Sequence, residues 1–306
     1  MISISFEKWH GCKNDFIVIQ GQKPENQYLL SSLRRQAPLL CNKTGAGIGA
    51  DGILYLRPQG ESHELIVINS DGSLAQNCGN GLRCAAAFLW KAHPPREGEE
   101  VPLLQMQVGT SNMNLQWVAH QERESCTYVM VDMPAPQGNP AEAKEAAAEL
   151  KKILTQQSVS FTYDSLEAYT VGNRHLLLWG PDATESTLQK IGQAIRGTSL
   201  SETYNLHLLT EVPVSPHGNE PAWVQGQVSE AYRMLSWERG VGFTPACGSG
   251  ACSAGVAVLE KGFAPRESWI SIETPGGPLW VQQRDQQGEV RLLGPAVYVY
   301  SGLFFL

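Results

Sequence analysis

The sequence predicts a mixed α/β fold built from two similar halves. Two stretches carry this prediction, since each places a cysteine and a Gly-x-Gly segment before a run of small and apolar residues: CGNGLRCAAAFLW at 78–90 and CGSGACSAGVAVL at 247–259. Such a run is typical of a helix that is packed on all sides. Short segments that alternate apolar and polar residues surround both motifs and predict half-buried strands. Because the motif recurs about half a chain apart, we expect a duplicated domain with one thiol in each half.

The first half reads as strands around two helices. A short helix over 29–35 is expected to end before Pro38, because proline does not fit a helix interior. The loop 44–52 is rich in glycine but lacks the Gly-Lys-Ser/Thr of a phosphate-binding loop, so we interpret it as a substrate-contacting turn. The second helix is the one that follows Cys78. Strands are predicted at 2–6, 16–20, 53–57, 65–68, 103–108, 114–118 and 127–132.

A proline-rich stretch separates the two halves. Pro134, Pro136, Gly138 and Pro140 form the most loop-like segment of the chain, which places the domain boundary between 1–134 and 135–292. In the second half, helices are predicted at 141–154 and 186–196. Strands are predicted at 166–171, at 205–209, twice within 223–237, and at 270–273, 279–284, 290–293 and 297–300. The segment 172–175 is interpreted as the turn that ends the strand 166–171.

Composition excludes several classes of protein. With 306 residues, 42% of them hydrophobic and 17% charged, the chain is expected to be globular with two modest cores. A net charge of -7 and the absence of long Lys/Arg runs argue against nucleic-acid binding. The first ten residues alternate like a strand, which predicts neither a signal peptide nor a membrane anchor. Seven cysteines, an odd number, favour a reducing cytoplasm.

Cys78 and Cys247 are the candidate reactive thiols. Unpaired N–H groups and a partial positive charge at a helix start favour a thiolate, so the pKa of Cys247 is expected to fall below the ordinary value of ~8.5. If a substrate α-carbon lies between two such thiols, one thiolate removes its proton while the other thiol delivers a proton to the opposite face. This inversion needs no cofactor, and the chain has no dinucleotide fingerprint and no convincing lysine for pyridoxal phosphate.

The same residues also have plainer interpretations. Taken singly, each cysteine is as well explained by a buried structural role, and lone asparagines are usually turn or cap residues. Glu238 and Arg239 would be a solvated pair, and His10 and His175 more often orient backbone than act as bases. The spacings Cys-x5-Cys and Cys-x4-Cys, without paired histidines, predict no metal site.

Taken together, the motifs resemble the diaminopimelate epimerase family, which interconverts LL- and meso-2,6-diaminopimelate without a cofactor in lysine biosynthesis. The resemblance runs from about Phe6 to Gly302. The segments that carry it are His10-Gly11, Asn14-Asp15-Phe16, 47–52, 69–73, 78–81, Gly172-Asn173, 238–240, 247–250, 275–277 and 294–296.

This resemblance implies a role for each residue of the site. Cys78 and Cys247 would be the acid/base thiols. Backbone N–H groups of Gly79, Asn80, Gly248 and Ser249 would bind the reacting carboxylate, and the rest of the substrate would contact Asn14, Asn69, Asn173, Asn205, Glu238 and Arg239. Arg239 suits the distal carboxylate, because its planar fork binds carboxylate with two hydrogen bonds, and Glu238 suits an ammonium group.

The resemblance also implies an architecture and partners. Each half would be a curved, mostly antiparallel sheet wrapped around a central helix, with the active site in the cleft between the halves. The last strand, 293–306, would return to the first half. The protein would be a cytoplasmic homodimer acting on a small amino acid, with no nucleic-acid or membrane partner and no metal.

Two residues depart from the family pattern. Arg174 stands where the family usually has proline, and Phe243 where it usually has an acidic residue, so the substrate preference could differ. One alternative is therefore another cofactor-independent amino-acid racemase of the same fold, for example a histidine racemase. A PhzF-type isomerase fits less well, because that branch lacks the paired thiols. A non-catalytic thiol redox protein is the alternative from a different class.

Overall fold

The chain divides into two compact units. A computed structural model describes residues 2–22, 28–45, 47–59, 62–75, 78–92, 94–95, 101, 103–215, 221–284 and 288–306. One unit comprises Met1–Asp132 with Leu293–Leu306, and the other comprises Met133–Leu292. In the described part of the chain, no helix is both long and apolar enough to cross a membrane.

Strands dominate the structure. In chain order up to residue 133, the elements are β1 (Ser3–Gly11), β2 (Asn14–Gln20), α1 (Leu29–Leu40), β3 (Gly52–Gln59), β4 (Ser62–Asn69), β5 (Leu74–Ala75), α2 (Gly79–Ala92), β6 (Leu104–Val108), β7 (Ser111–Gln121), a 3₁₀ turn (Glu122–Glu124) and β8 (Cys126–Met133). After residue 133 they are β9 (Gln137–Gly138), α3 (Pro140–Gln156), β10 (Ser165–Val171), β11 (Asn173–Trp179), α4 (Glu185–Ile195), α5 (Ser199–Thr203), β12 (Tyr204–Val212), α6 (Ala222–Gln225), β13 (Val228–Glu238), β14 (Gly242–Thr244), α7 (Gly248–Glu260), β15 (Trp269–Thr274), β16 (Gly277–Gln283) and β17 (Val290–Phe305).

The two units repeat one topology. In the first unit, β1 and β2 are antiparallel, β2 and β3 parallel, β3 and β4 antiparallel, β4 and β6 parallel, and β6 and β7 antiparallel. The second unit repeats this alternation of antiparallel and parallel pairs in the strands β10, β11, β12, β13, β15 and β16. Strand β17 pairs with β1 in the first unit. The prediction of a mixed α/β fold with two similar, mostly antiparallel halves is confirmed.

One apolar helix packs against the strands of each unit. Helix α2 contacts β1 to β4, and α7 contacts β10, β11, β15 and β16. The small residues of α7 allow a close approach, because a Cβ at Gly255 would lie 2.6 Å from Cγ1 of Val281. Nearly every residue of α7 is buried, as its sequence predicts for a helix packed on all sides.

Helix α1 does not end before Pro38, which corrects the expected boundary. The helix continues through Pro38 to Leu40. Proline has no N–H to donate to the carbonyl four residues earlier, which belongs to Arg34. The main chain of Gly72 packs against that carbonyl so closely that a Cβ at Gly72 would lie 2.4 Å from its oxygen. Because Pro38 lies in the last turn, only one hydrogen bond of the helix is lost before it ends.

Two strand predictions in the second half are also wrong. The turn after β10 is confined to Gly172, whose φ is 74°, so residues 173–175 begin β11 instead of ending β10. The segment 223–237 was expected to hold two strands, but it contains the end of α6 and one strand, β13. The tail segments 290–293 and 297–300 are parts of the single strand β17.

Candidate active site

Cys78 immediately precedes α2, as the sequence predicts. Its Sγ accepts a hydrogen bond from the backbone N–H of Gly81 at 3.3 Å, so the thiol occupies the place of an N-cap acceptor. A side chain at position 81 would crowd this contact, because a Cβ there would lie 3.3 Å from Sγ and 2.9 Å from Cδ2 of Leu54. The second glycine of the motif thus lets the backbone N–H reach the sulfur.

A chain of side-chain amides runs past this thiol. Arg83 donates to Oδ1 of Asn80 at 2.7 Å, and Nδ2 of Asn80 donates to Oδ1 of Asn14 at 3.3 Å. Nδ2 of Asn14 then donates to Oδ2 of Asp51 at 2.7 Å. Because the chain begins at a guanidinium and ends at a carboxylate, the orientation of both amides is fixed. Oδ1 of Asn14 therefore faces Sγ of Cys78, 4.0 Å away.

A cluster of charges anchors the carboxylate end of this amide chain. Nζ of Lys43 lies 2.6 Å from Asp51 and 2.9 Å from Asp15, and Nζ of Lys8 lies 2.6 Å from Asp15. Burial alone would raise the pKa of Asp15, but hydrogen bonds from both lysines lower it on balance. Lys8 also donates to the carbonyl of Gly49. These contacts hold the glycine-rich loop against β2.

Asn14 and Asn69 lie where neighbouring strands of the first unit begin or end, on the same side of the sheet's strand ends. A tight turn with positive φ at Cys12 and Lys13 places Asn14 at the start of β2. Gly52, at the start of β3, is aligned with Phe16 on one side and with Asn69, the last residue of β4, on the other. The side chain of Asn69 donates to Ser73 at 2.9 Å. The first unit thus brings Cys78, Gly79, Asn80 and Asn14 into contact and places Asn69 on the same edge.

Cys247 is the N-cap residue of α7, also as predicted. It is buried, at 5% exposure, and the next residue, Gly248, begins the helix. Oγ of Ser249 lies 3.7 Å from its sulfur. Both cysteines therefore lie immediately before the first residue of an apolar helix.

The expectation that the helix start lowers the pKa of Cys247 is wrong. Burial raises the pKa of this thiol well above its ordinary value, and the carboxylate of Glu238 raises it further. The hydrogen bonds from Gly250 and Ser249 act in the opposite direction but are too weak to offset the loss of solvation. At neutral pH Cys247 is accordingly a thiol.

Asn205 holds the backbone that carries Glu238 and Arg239. Its Oδ1 accepts the N–H of Arg239 at 2.9 Å, and Glu238 accepts a hydrogen bond from Thr244 at 2.6 Å. Gly240, with φ of 75°, closes the short loop between β13 and β14. Arg239 is exposed on this loop.

Asn173 lies at the corresponding sheet edge of the second unit. It is the exposed first residue of β11, and β11 runs parallel to β12 with His175 aligned to Asn205. Because β13 runs antiparallel to β12, Glu238 at its end lies on the same edge. Asn173, Asn205 and Glu238 thus occupy the strand-end positions that Asn14, Gly52 and Asn69 occupy in the first unit. The second unit's binding candidates therefore lie at the same strand ends.

The sequence analysis missed a pair of buried histidines. Nδ1 of His175 lies 3.0 Å from Nε2 of His207, and Nδ1 of His207 lies 2.9 Å from Oγ of Ser236. Burial lowers the pKa of His175 to about 3 and lowers the pKa of His207 strongly, so both rings are neutral at neutral pH. A histidine within the apolar strand 204–209 was the available signal. Arg83 within an apolar helix was a similar signal for the amide chain.

Comparison with known proteins decides the family. The family model for diaminopimelate epimerase matches residues 6–133 and 168–299. The chain belongs to this family. Among relatives named diaminopimelate epimerase, the protein of Synechococcus sp. strain JA-2-3B'a(2-13) is 32% identical, with 98% of this chain and 97% of the relative covered. That of Synechocystis sp. is 31% identical over 98% of this chain and 99% of its own length, and that of Bacillus pumilus is 28% identical over the full length of both.

Solved structures share the fold of this diaminopimelate epimerase family member at low sequence identity. A predicted epimerase from Pseudomonas aeruginosa has a TM-score of 0.68 at 15% identity and covers 99% of both chains. A probable proline racemase from Agrobacterium radiobacter has a TM-score of 0.60 at 12% identity and covers 99% of this chain and 93% of its own. These similarities support the fold alone.

Proposed function

We propose that this member of the diaminopimelate epimerase family interconverts LL- and meso-2,6-diaminopimelate by inverting one α-carbon with two thiols. Relatives with that name match it along nearly the whole chain. The observation that carries the proposal is the repeated thiol geometry. Cys78 and Cys247 each lie immediately before the first residue of an apolar helix, where unpaired backbone N–H groups face the thiol.

In this mechanism each thiol is a base in one direction of the reaction and an acid in the other. The thiolate takes the α-proton, and the opposite thiol donates its own proton to the other face of the carbon. Backbone N–H groups of Gly79 and Asn80, and of Gly248 and Ser249, bind the reacting carboxylate at the two helix N-termini. Their partial positive charge stabilises the negative charge that develops as the proton leaves.

The remaining candidates bind the rest of the substrate. Asn14, Asn69, Asn173 and Asn205 surround the polar groups, and exposed Arg239 pairs with the distal carboxylate. Glu238 receives an ammonium group. Because the Glu238 carboxylate raises the pKa of Cys247 in the free protein, a bound cation beside Glu238 would reduce this effect. Substrate binding would then favour ionisation of the thiol.

The two departures from the family pattern have structural explanations that favour diaminopimelate over another amino acid. Arg174 lies one residue from Asn173 on β11, so its side chain projects from the opposite face of the strand, and it lies 3.8 Å from Glu142. Phe243 packs with Trp237 against the core of the second unit. Both side chains thus have partners of their own. The alternative is another amino-acid racemase of this fold.

Deuterium incorporation tests this function directly. Reduced protein is incubated in D2O with LL-diaminopimelate and, in separate samples, with L-histidine, L-glutamate and L-lysine, and NMR follows deuterium entry at the α-carbon. We expect exchange with diaminopimelate, loss of exchange in Cys247→Ala, and normal exchange in Cys252→Ala, a matched change within α7. Exchange with another amino acid would retain the two-thiol mechanism but replace the substrate. No exchange with any of them would favour the thiol redox alternative.

We further propose that the protein is a cytoplasmic homodimer that supplies lysine and peptidoglycan synthesis. Leu303 and Phe305 share one face of β17 and are 64% and 62% exposed, and Val299 nearby on the same strand is 48% exposed, an apolar surface suited to a second copy. Light scattering should give twice the chain mass, and Leu303→Arg should give the monomer mass. Expression without a leader should rescue a bacterium that lacks its own epimerase, and failure would contradict the pathway assignment.

A further inference from the structure

Three buried side chains with metal-binding atoms meet in the second unit. His175, His207 and Cys247 each offer one ligand atom, and these atoms all lie within 4.8 Å of one another. His175 and His207 have no exposed surface, and Cys247 is 5% exposed. Among the described residues, no comparable set of metal-binding atoms includes Cys78. The two candidate catalytic thiols therefore have chemically different neighbours.

We infer that Cys247, His175 and His207 form a zinc site, and that a zinc ion bound there inhibits the enzyme. Zinc prefers tetrahedral sets of imidazole nitrogen and thiolate sulfur, with bonds of about 2.0–2.1 Å to nitrogen and about 2.3 Å to sulfur. Tetrahedral geometry with these bonds separates the ligand atoms by roughly 3.3–3.6 Å. The two facing nitrogens are already 3.0 Å apart, so only small side-chain movements are needed.

The surroundings of His207 match those of a metal-binding imidazole. Oγ of Ser236 contacts Nδ1 of His207, an outer partner of the kind that orients a ligand ring and leaves Nε2 to face the ion. The ring of His207 packs against the first turn of α7, since a Cβ at Gly250 would lie 2.5 Å from its Cε1. In His175, Nδ1 faces the ion, and the buried Nε2 has no such outer partner among the described residues.

The chemistry of these ligands selects the ion. One thiolate and two imidazoles form a borderline-soft set that suits zinc and related transition metals, whereas magnesium and calcium prefer oxygen ligands. The Glu238 carboxylate interacts with the Cys247 side chain and adds negative charge next to the ion.

Binding releases one proton. Cys247 coordinates as a thiolate, so its proton passes to solvent, while each imidazole remains neutral and keeps its single proton on the nitrogen that faces away from the ion. A coordinated Cys247 cannot exchange protons with a substrate carbon. Zinc is thus expected to inhibit epimerisation reversibly, and this consequence, unlike the binding itself, rests on the proposed function.

The cysteine spacing predicts no metal site, and the fold explains why it misses this one. His175 and His207 are 32 residues apart, and they meet because β11 and β12 run parallel. Cys247 joins them through the packing of α7 against β11. None of these contacts leaves a local motif in the sequence.

Cobalt(II) binding tests the site without reference to activity. Reduced, chelator-treated protein is titrated with CoCl2, and the thiolate-to-cobalt absorption in the near ultraviolet is followed, with ZnCl2 as competitor. We expect one ion per chain with this band, no band in Cys247→Ala, and affinity weaker by roughly tenfold or more in His207→Gln. His120→Gln, a histidine change in the other unit, should bind like the unchanged protein.

Activity and folding controls complete the test. Zinc should inhibit deuterium exchange at the concentrations at which it displaces cobalt, and EDTA should restore exchange. Circular dichroism verifies that His207→Gln is folded, and His175→Gln provides a second ligand variant if it is not. A band that persists unchanged in Cys247→Ala, or equal affinities for His207→Gln and the unchanged protein, would overturn the zinc site. Absence of exchange before zinc is added would count against the proposed function alone.

Discussion

The two candidate catalytic thiols, Cys78 and Cys247, share one backbone position but have different surroundings. Each lies immediately before the first residue of an apolar helix. Around Cys78 the neighbours are Asn14 and Asn80, whose amides are held between Arg83 and Asp51. Around Cys247 they are a carboxylate and two neutral imidazoles. A duplicated scaffold can therefore keep the position of a thiol constant while the charge around it changes.

The largest expected effect tests whether the two thiols are functionally equal. Cys78→Ala and Cys247→Ala should each lower kcat/KM by roughly 10²–10⁴-fold in both directions of the reaction, because each thiol is an acid in one direction and a base in the other. Steady-state kinetics from the LL and the meso side would measure this. If kcat/KM of either variant stays within tenfold of that of the unchanged enzyme, the two thiols are not both required for the reaction.

The second test addresses the amide chain of the first unit. Asp51→Asn removes the charge that orients Asn14, and hydrogen bonds to charged groups contribute about 1.5–3 kcal/mol. We expect kcat/KM to fall by roughly tenfold, since 1.4 kcal/mol corresponds to that factor. Asp132→Asn, a half-buried carboxylate on β8 of the same unit, is the matched control. An Asp51→Asn enzyme with unchanged kinetics would mean that the chain serves folding only.

A third test measures the effect of the carboxylate in the second unit. Glu238→Gln removes a negative charge from the neighbourhood of Cys247, so the pKa of this thiol should fall while burial keeps it raised. Iodoacetamide labelling of Cys247, followed by peptide mass mapping across pH, should therefore shift to lower pH. Glu185→Gln, at the exposed start of α4, should not shift it. An unchanged profile would leave burial as the sole cause.

The smallest expected effect concerns the stability of the second unit in acid. Burial keeps the folded-state pKa of His175 at about 3, far below that of the unfolded chain. Between these values only the unfolded chain binds the proton, so the free energy of unfolding should fall as the pH decreases from ~6.5, by roughly 1 kcal/mol per pH unit for each buried histidine.

Urea titrations with EDTA between neutral and mildly acidic pH would measure this slope. His207→Gln should flatten it, because one of the two buried histidines is gone, whereas His120→Gln should leave it unchanged. Equal slopes in all three proteins would mean that the buried histidine pair does not contribute to the loss of stability in acid.

The sequence predicts most of the fold because the helix-forming and strand-forming patterns are local. The repeated cysteine motif can be recognised directly in the sequence, and the structure confirms both helix starts. Pro38 is a contrasting case, because the helix continues through it for one further half-turn to Leu40, which a local rule that proline ends a helix does not predict. The strand start at Asn173 was missed for a similar reason, since a turn confined to one glycine looks like the beginning of a loop.

The electrostatics of the site were harder to predict. A helix dipole can be anticipated from sequence, but the burial of Cys247 and its proximity to Glu238 depend on how a hairpin folds back onto α7. The pairing of His175 with His207 depends on strand register, which no spacing within either segment reveals. Side chains that act on each other across strands are therefore the part of a site that a single sequence conceals.

The glycines that follow each thiol should also differ in their tolerance of change during laboratory evolution. At position 81 an added methyl group would lie 2.9 Å from the end of the Leu54 side chain and 3.3 Å from Sγ of Cys78. At position 250 it would lie 2.5 Å from the ring of His207, which contacts His175 on one side and Ser236 on the other. A library that encodes alanine at both positions should therefore lose it more completely at 250 than at 81.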